Sequence, residues 1–198
     1  MKEEEVREIF EKSGALLEGH FLLTSGRHSP VYWEKFRVLQ NPGYTEKLCR
    51  LISEHYKDQG VQVVAGPTTG GIILAHEVAR QLGIRSIFAE KGEEGRVFRR
   101  GLELAPGTRT LIVDDILTTG KSVKEVLDLV ERYGGKVVGI GVLVDRSEKD
   151  LDLGHPVFNC LRSPSVTYPP ENCPLCARGV PLTRPGGEPT QSSPDEPG

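Results

Sequence analysis

Between Thr110 and Ser122 the chain reads TLIVDDILTTGKS, a 13-residue stretch that places two adjacent acids just ahead of a cluster of hydroxyls, a glycine and a lysine. These residue types divide the work of binding a phosphorylated sugar. The Thr118, Thr119 and Ser122 hydroxyls, the permissive backbone of Gly120 and the charge of Lys121 suit a phosphate monoester, above all where a helix start offers free N–H groups and the positive end of its dipole. Asp114 and Asp115 would repel that phosphate, but they can accept hydrogen bonds from vicinal hydroxyls. A ribose 5-phosphate satisfies both halves of the stretch. Gly120-Lys121-Ser122 also looks like the end of a nucleotide-binding P-loop. The first glycine of that motif would fall at position 115, which is Asp115, and the reading fails.

The elements that must position these groups can be read from their neighbours. Leu111, Ile112 and Val113 form an unbroken apolar run, as in a strand buried on both faces of a parallel sheet, and the acid pair sits at its carboxyl end. Val123, Val126, Leu127 and Val130 then follow at helical spacing, so residues 118–122 are the turn that opens a helix. Without its chemistry the segment is an ordinary strand, turn and helix with surface acids. The order of its parts resembles the signature for 5-phosphoribosyl 1-pyrophosphate (PRPP) in type I phosphoribosyltransferases.

A second strand, glycine loop and helix lies upstream. Val61–Ala65 leads into Gly66-Pro67-Thr68-Thr69-Gly70-Gly71, and residues 72–82 return to helical spacing. Two such loops at the carboxyl ends of neighbouring parallel strands can face one ligand from two sides. In the family this position binds pyrophosphate, with donors from Thr68, Thr69, Gly70 and Gly71, and relatives hold a non-proline cis peptide here. Many orotate enzymes have lysine where this chain has Gly70. Alternatively the segment is a plain turn between strand and helix.

Residues 84–89 make another strand, and the charged, glycine-rich EKGEEGRVFRRG of residues 90–101 projects as a loop or hairpin. In phosphoribosyltransferases the corresponding loop closes over the substrates and reaches a neighbouring subunit's site. Lys91 aligns with one of the family's loop lysines. Arg96, Arg99 and Arg100 stand where other basic groups occur and can neutralise pyrophosphate in a bidentate manner; Arg99 and Arg100 are equally well read as a solvated face. The family's loop histidine is missing.

Lys136–Val144 is a further apolar strand that delivers Asp145-Arg146 to the same sheet edge. Orotate enzymes place an Asp-Arg pair here. The resemblance assigns Arg146 to the base, as a guanidinium fork on a planar carboxylate. Upstream, Leu23–Tyr32 (LTSGRHSPVY) is similar to the hood of orotate phosphoribosyltransferases, which helps form the base pocket. Thr24 and Tyr32, with Thr118, become base contacts on that basis, and Trp33 is either a stacking partner or a core residue.

The resemblance covers residues 14–183 and implies an α/β type I phosphoribosyltransferase fold: a mostly parallel central sheet flanked by helices, a small N-terminal hood and a flexible catalytic loop. Residues 1–40 would carry the first helix (residues 3–12) and the hood, and residues 41–183 the PRPP-binding core, whose first helix is expected at residues 43–58. The proline-, glycine- and serine-rich residues 184–198 would be a disordered tail. The implied reaction joins orotate to PRPP, giving orotidine 5′-monophosphate and pyrophosphate in pyrimidine (UMP) synthesis. Asp114, Asp115 and Lys91 would act at the reacting centre, and Mg²⁺ would ride on the substrate. A purine phosphoribosyltransferase and a non-catalytic PRPP-sensing regulator remain as alternatives, and a homodimer is expected.

Composition narrows the field further. A net charge of −3, from Lys+Arg 25 against Asp+Glu 28, gives no general attraction to nucleic acid. No run reaches the roughly 18 apolar residues of a membrane span, and the acidic MKEEEVREIF is unlike a signal peptide, which points to the cytoplasm. Four cysteines make no disulfide scaffold. Cys173-Pro-Leu-Cys176 offers half of a zinc site and would need Cys160 or another chain to complete it; otherwise it is a packing turn. A CPLC segment followed by Gly-Val-Pro-Leu resembles a bacterial subgroup of orotate phosphoribosyltransferases, and matches Cys173–Leu182 here.

Overall fold

Apolar runs and helical spacings alternate from residue 42 onward, and the computed structural model turns them into a three-layer α/β arrangement. It describes residues 1–93 and 95–185; all but the first two residues of the expected tail lie outside the described residues. The chain divides into two compact units, Met1–Leu16 with Trp33–Ser165, and Leu17–Tyr32 with Val166–Gly198. In this division the hood hairpin shares a unit with the C-terminal segment, whereas the first helix goes with the sheet.

In the larger unit, α1 (Glu3–Lys12) buries Val6, Ile9 and Phe10 on one face. A single helical turn, α2 (Phe36–Leu39), precedes α3 (Pro42–Tyr56), which is capped by the Asn41 side chain on the Gly43 and Tyr44 N–H groups. The sheet strands are β3 (Val63–Pro67), β4 (Arg85–Gly92), β5 (Gly95–Val97), β6 (Arg109–Leu117), β7 (Lys136–Asp145) and β8 (Val157–Arg162). Their order is β5-β4-β3-β6-β7-β8. All neighbours pair in parallel except β5, which returns antiparallel on β4. The stretch expected to be a loop or hairpin is therefore a short hairpin, and β8 forms the opposite edge of the sheet.

Helices α4 (Gly70–Leu82) and α5 (Lys121–Arg132) make the crossovers. The apolar stripe of α5, Val123, Val126, Leu127, Leu129 and Val130, is buried against Ile112, Ile140 and Val142. Each such side chain contributes about 1.5–3 kcal/mol relative to exposure, so packing fixes where α5 begins. Because β3, β6 and β7 are adjacent and parallel, the loops that leave their carboxyl ends emerge side by side along one edge.

In the smaller unit, β1 (Leu16–Leu22) and β2 (His28–Trp33) form a two-stranded hairpin; their terminal residues Leu16 and Trp33 count with the larger unit. The C-terminal segment runs beside the hairpin. Tyr168 exchanges backbone hydrogen bonds with His28 (2.9 and 2.8 Å), the Leu22 N–H donates to Thr183 O (2.9 Å), and the Thr183 N–H donates to His20 O (2.8 Å). Between those attachments lies a short turn, α6 (Pro174–Ala177), with Cys173 as its N-cap. Among the described residues, no helix is long and apolar enough to cross a membrane.

Candidate functional site

The acid pair belongs to the last residues of β6, which continues to Leu117, three residues beyond Asp114. Both carboxylates are buried, at 5% and 3% exposure. The Asp115 N–H donates to Asp114 Oδ1 (2.8 Å) and the Ile116 N–H to Asp115 Oδ1 (2.7 Å), so each carboxylate is oriented by the backbone beside it. The Ser122 hydroxyl donates to Asp114 Oδ2 at 2.6 Å. Ser122 thus bridges the first turn of α5 to the acid pair, a role its place in the phosphate cluster did not foretell. Lys35 supplies the countercharge, with Nζ 3.0 Å from Asp115 Oδ1. Asp115 Oδ2 is buried and takes no hydrogen bond from the described residues.

Burial, and then the charge of Asp115, raise the Asp114 carboxyl to about 6, against which the Ser122 hydroxyl, the Asp115 N–H and the Lys35 ammonium act. A small set of donors therefore opposes the cost of ionising the buried Asp114, and Asp115 Oδ2 keeps capacity for a hydroxyl group of a ligand.

The turn from Thr118 to Gly120 carries the chain from β6 into α5. Gly120, the N-cap, has φ +75°, a left-handed conformation that side-chain-bearing residues rarely adopt. Its carbonyl accepts from the Lys124 N–H at 2.8 Å, starting the helix. Thr118, Thr119 and Lys121 are exposed, and the first N–H groups of α5 point out of the helix start, where an anion is favoured.

On the adjacent strand, β3 ends at Pro67 and the Thr68–Thr69 peptide is cis. The Thr68 N–H donates to Ala89 O (3.0 Å), and Thr69 caps α4. Gly70 lies against the acid pair so closely that a Cβ built on it would collide with Asp115 Oδ2. No side chain fits there while the carboxylate keeps its place. The lysine that many orotate enzymes carry at this position thus has no counterpart, for a steric reason.

Arg96 behaves unlike a mobile loop arginine. It is 5% exposed; its Nη1 donates to Ala89 O (2.9 Å) and Thr68 Oγ1 (3.2 Å), and its Nε lies 3.2 Å from Glu125 Oε2 on α5. It ties the β3–α4 loop to α5. Lys91 is exposed on β4, opposite Arg96. Arg99 and Arg100 are exposed and approach one acid, Glu90, at 3.9 Å and 2.5 Å.

At the end of β7, Asp145 and Arg146 are both buried. Asp145 Oδ1 accepts from the Ser147 N–H (2.9 Å) and hydroxyl (2.6 Å), and Oδ2 pairs with Arg162 of β8. The Arg146 N–H donates to Leu117 O (2.7 Å), and its carbonyl accepts from the Ser165 N–H (3.1 Å). Its guanidinium carbon lies 5.9 Å from the Trp33 ring centroid, a cation–π contact, and Trp33 packs edge-on against Phe10 at 5.0 Å. Trp33, 4% exposed, therefore has core contacts and also lies against Arg146.

Within the larger unit the structure brings together Asp114, Asp115, Thr118–Ser122, Thr68–Gly71, Arg96 and Arg146 along one sheet edge. Thr24, exposed, and Tyr32, half-buried, belong to the smaller unit. Sequence reasoning missed Lys35, Glu125, Ser147 and Arg162. Lys35, Glu125 and Arg162 act on partners distant in the chain, and an isolated charge next to an aromatic or within a helix face gives no local signal; Ser147 acts on Asp145 only two residues away, but a single serine after an Asp-Arg pair gives no signal either.

The phosphoribosyl transferase domain family matches residues 37–171. An orotate phosphoribosyltransferase of Desulforamulus reducens is 49% identical over 186 residues, covering 94% of this chain and 97% of that protein. One from Caldanaerobacter subterraneus is 47% identical, covering 94% and 98%. The crystal structure of orotate phosphoribosyltransferase from Aeropyrum pernix superposes with a TM-score of 0.70 at 27% identity, over 79% of this chain and 93% of that one.

Proposed function

Since the chain belongs to the phosphoribosyltransferase family, and within it to the orotate phosphoribosyltransferases, we propose that it joins orotate to PRPP through the residues gathered at the carboxyl ends of β3, β6 and β7. The observation that carries this assignment is the acid pair, which is buried and oriented by backbone N–H groups, with one carboxylate oxygen unpartnered among the described residues, beside an open helix start.

In the reaction a bond forms between a base nitrogen and C1 of the ribose while the C1 bond to pyrophosphate breaks. Positive charge builds on the sugar in between. Thr118, Thr119, Gly120 and Lys121 hold the 5-phosphate at the start of α5, with Ser122 bridging that start to Asp114. Asp114 and Asp115 accept the ribose hydroxyls and lie beside the developing charge, where fixed carboxylates in a buried site act more strongly than in water. Their role is electrostatic and orienting. Thr68, Thr69, Gly70 and Gly71 face the pyrophosphate, with Arg96 fixing the loop from behind through Thr68.

Lys91, Arg99 and Arg100 neutralise the leaving group from the β4–β5 hairpin and the residues that follow it. Arg99 and Arg100 exchange Glu90 for substrate in doing so. The hairpin serves the neighbouring subunit of a homodimer in this scheme, in the cytoplasm. Mg²⁺ fits as a companion of the substrate, because the unpartnered Asp115 Oδ2 suits a hydroxyl or a metal-bound water. When bound, it would supply charge neutralisation on the pyrophosphate.

Arg146 selects the base. A buried guanidinium whose backbone is clamped at both N–H and carbonyl offers a planar fork to the orotate carboxylate, which adenine and guanine lack. Thr24 and Tyr32 stand as base-binding residues on the family resemblance alone. Exchange of Arg146 for alanine tests the assignment: KM for orotate should rise at least about tenfold, as for a lost charge-assisted contact, while PRPP affinity changes little. Equal losses for both substrates would count against it.

A further inference from the structure

The CxxC segment finds two more ligands in the hairpin. His20 on β1 and His28 on β2 converge on Cys173 and Cys176, and one ligand atom from each of the four side chains lies within 4.8 Å of all the others. His20 Nε2 is 2.9 Å from His28 Nδ1, 3.5 Å from Cys173 Sγ and 3.8 Å from Cys176 Sγ; Cys176 Sγ is 3.3 Å from His28 Nδ1. Cys160, one of the two sources of further ligands named from sequence, is not in the cluster and instead donates to Leu48 O at 3.5 Å.

From this we propose that the smaller unit binds one structural zinc ion through His20 Nε2, His28 Nδ1, Cys173 Sγ and Cys176 Sγ. Tetrahedral zinc with bonds of about 2.0–2.1 Å to nitrogen and about 2.3 Å to sulfur separates its ligand atoms by roughly 3.3–3.8 Å. The three sulfur–nitrogen separations measured above already fall in that range, the nitrogen pair needs only a few tenths of an ångström of opening, and no two ligand atoms are more than 4.8 Å apart. The donor set, two thiols and two imidazoles, is the one zinc takes when it serves structure and leaves no open position.

A second feature prepares the site. His20 Nδ1 lies 2.7 Å from Val180 O, so Nδ1 carries the proton and donates it to that carbonyl, leaving the Nε2 lone pair facing the other three ligands. Second-shell hydrogen bonds of this kind fix the tautomer and ring orientation of zinc-binding histidines. His20, His28 and Cys173 are buried at 2%, 5% and 4% exposure, so three of the four ligands are already shielded from water. All four cysteines are free thiols. The turn that presents the two thiols is built for it: Pro174 opens α6, the Val180 N–H closes onto Leu175 O (3.0 Å), and buried Leu175 anchors the loop.

The ion would fasten the hairpin to the C-terminal segment between the backbone attachments at Tyr168 and Thr183. A unit this small buries little apolar surface, and a metal is a usual substitute for a larger core. The hairpin so fastened carries the Leu23–Tyr32 stretch.

Metal analysis of the purified, reduced full chain tests the proposal without recourse to activity. Zinc should be present at about one per chain, and X-ray absorption should show two sulfur and two nitrogen neighbours at about 2.3 and 2.0 Å. After chelation, added Co²⁺ should give the ligand-field bands of a tetrahedral site with a thiolate charge-transfer band. That band should be weakened in Cys173→Ser and in Cys176→Ser and lost when both are replaced, and weakened at equal Co²⁺ in His20→Asn and His28→Asn, while Cys160→Ser should keep it. Amide exchange at Leu22, His28, Tyr168 and Thr183 should accelerate on zinc removal. A chain purified without zinc that gives no tetrahedral Co²⁺ spectrum would overturn the assignment. So would a native Cys173–Cys176 disulfide, or a zinc neighbour shell without two sulfurs.

Discussion

Lys35 Nζ sits 3.0 Å from Asp115 Oδ1, across 80 positions of sequence, and is the only cation among the described residues that forms an ion pair with either acid of the pair. The nearby ammonium also favours the ionised form of Asp114. Replacing Lys35 with methionine removes that support, so the Asp114 carboxyl should titrate above its present value of about 6. The acidic limb of kcat/KM for PRPP should shift to higher pH by up to about one unit, and Lys35→Arg should restore it. An unmoved limb would mean that the lysine acts only in packing.

Asp114 also has a stability signature. Its folded value of about 6 lies above the ordinary 3.8, so ionising it costs the folded state. That cost is full above pH 6, shrinks as pH falls, and is gone below pH 3.8. Asp114→Asn can keep an acceptor for the Asp115 N–H and removes the charge. The variant should be inactive or nearly so, yet gain stability by at most about 3 kcal/mol at pH 8 and about half that at pH 5. Denaturant unfolding at both pH values measures this.

Gly70 leaves no room for a Cβ beside Asp115 Oδ2. Gly70→Ala should therefore displace the carboxylate and lower kcat/KM for PRPP by about 10- to 100-fold, the scale of a misplaced reacting group. Gly70→Lys, which installs the residue common in other orotate enzymes, should damage activity as much. Improved turnover in that variant would contradict the close packing.

Arg96 joins Thr68, Ala89 and Glu125 from a buried position. Arg96→Met strands Glu125 and loosens the Thr68 loop, at about 1–3 kcal/mol of stability, because Glu125 is itself 29% exposed. The double variant Arg96→Met, Glu125→Gln should recover most of the stability but not the affinity for PRPP. Parallel recovery of both would make Arg96 purely structural.

Much of this architecture was legible in local pattern. The run Leu111–Val113 and the stripe Val123, Val126, Leu127 and Val130 marked β6 and α5 because burial on a parallel sheet writes itself into adjacent residues. The acid pair and the glycine at φ +75° were found for the same reason. What escaped depends on chain closure. Lys35 meets Asp115, Arg96 meets Glu125 and Asp145 meets Arg162 only once the sheet is assembled. Nothing in the sequence joins His20 and His28 to Cys173 and Cys176, since their proximity is set by the backbone bonds at Tyr168 and Thr183. The hairpin of residues 90–101 was readable as polar and glycine-rich, but nothing in it distinguished the buried Arg96 from the exposed Arg99 and Arg100.

Turnover measured by absorbance with PRPP and Mg²⁺ across orotate, uracil, adenine, guanine and xanthine tests the choice of base directly. Consumption of orotate alone, lost when Mg²⁺ is chelated, is the predicted result. Turnover of a purine would contradict the role given to Arg146, and PRPP binding without turnover of any base would make the protein a sensor of PRPP.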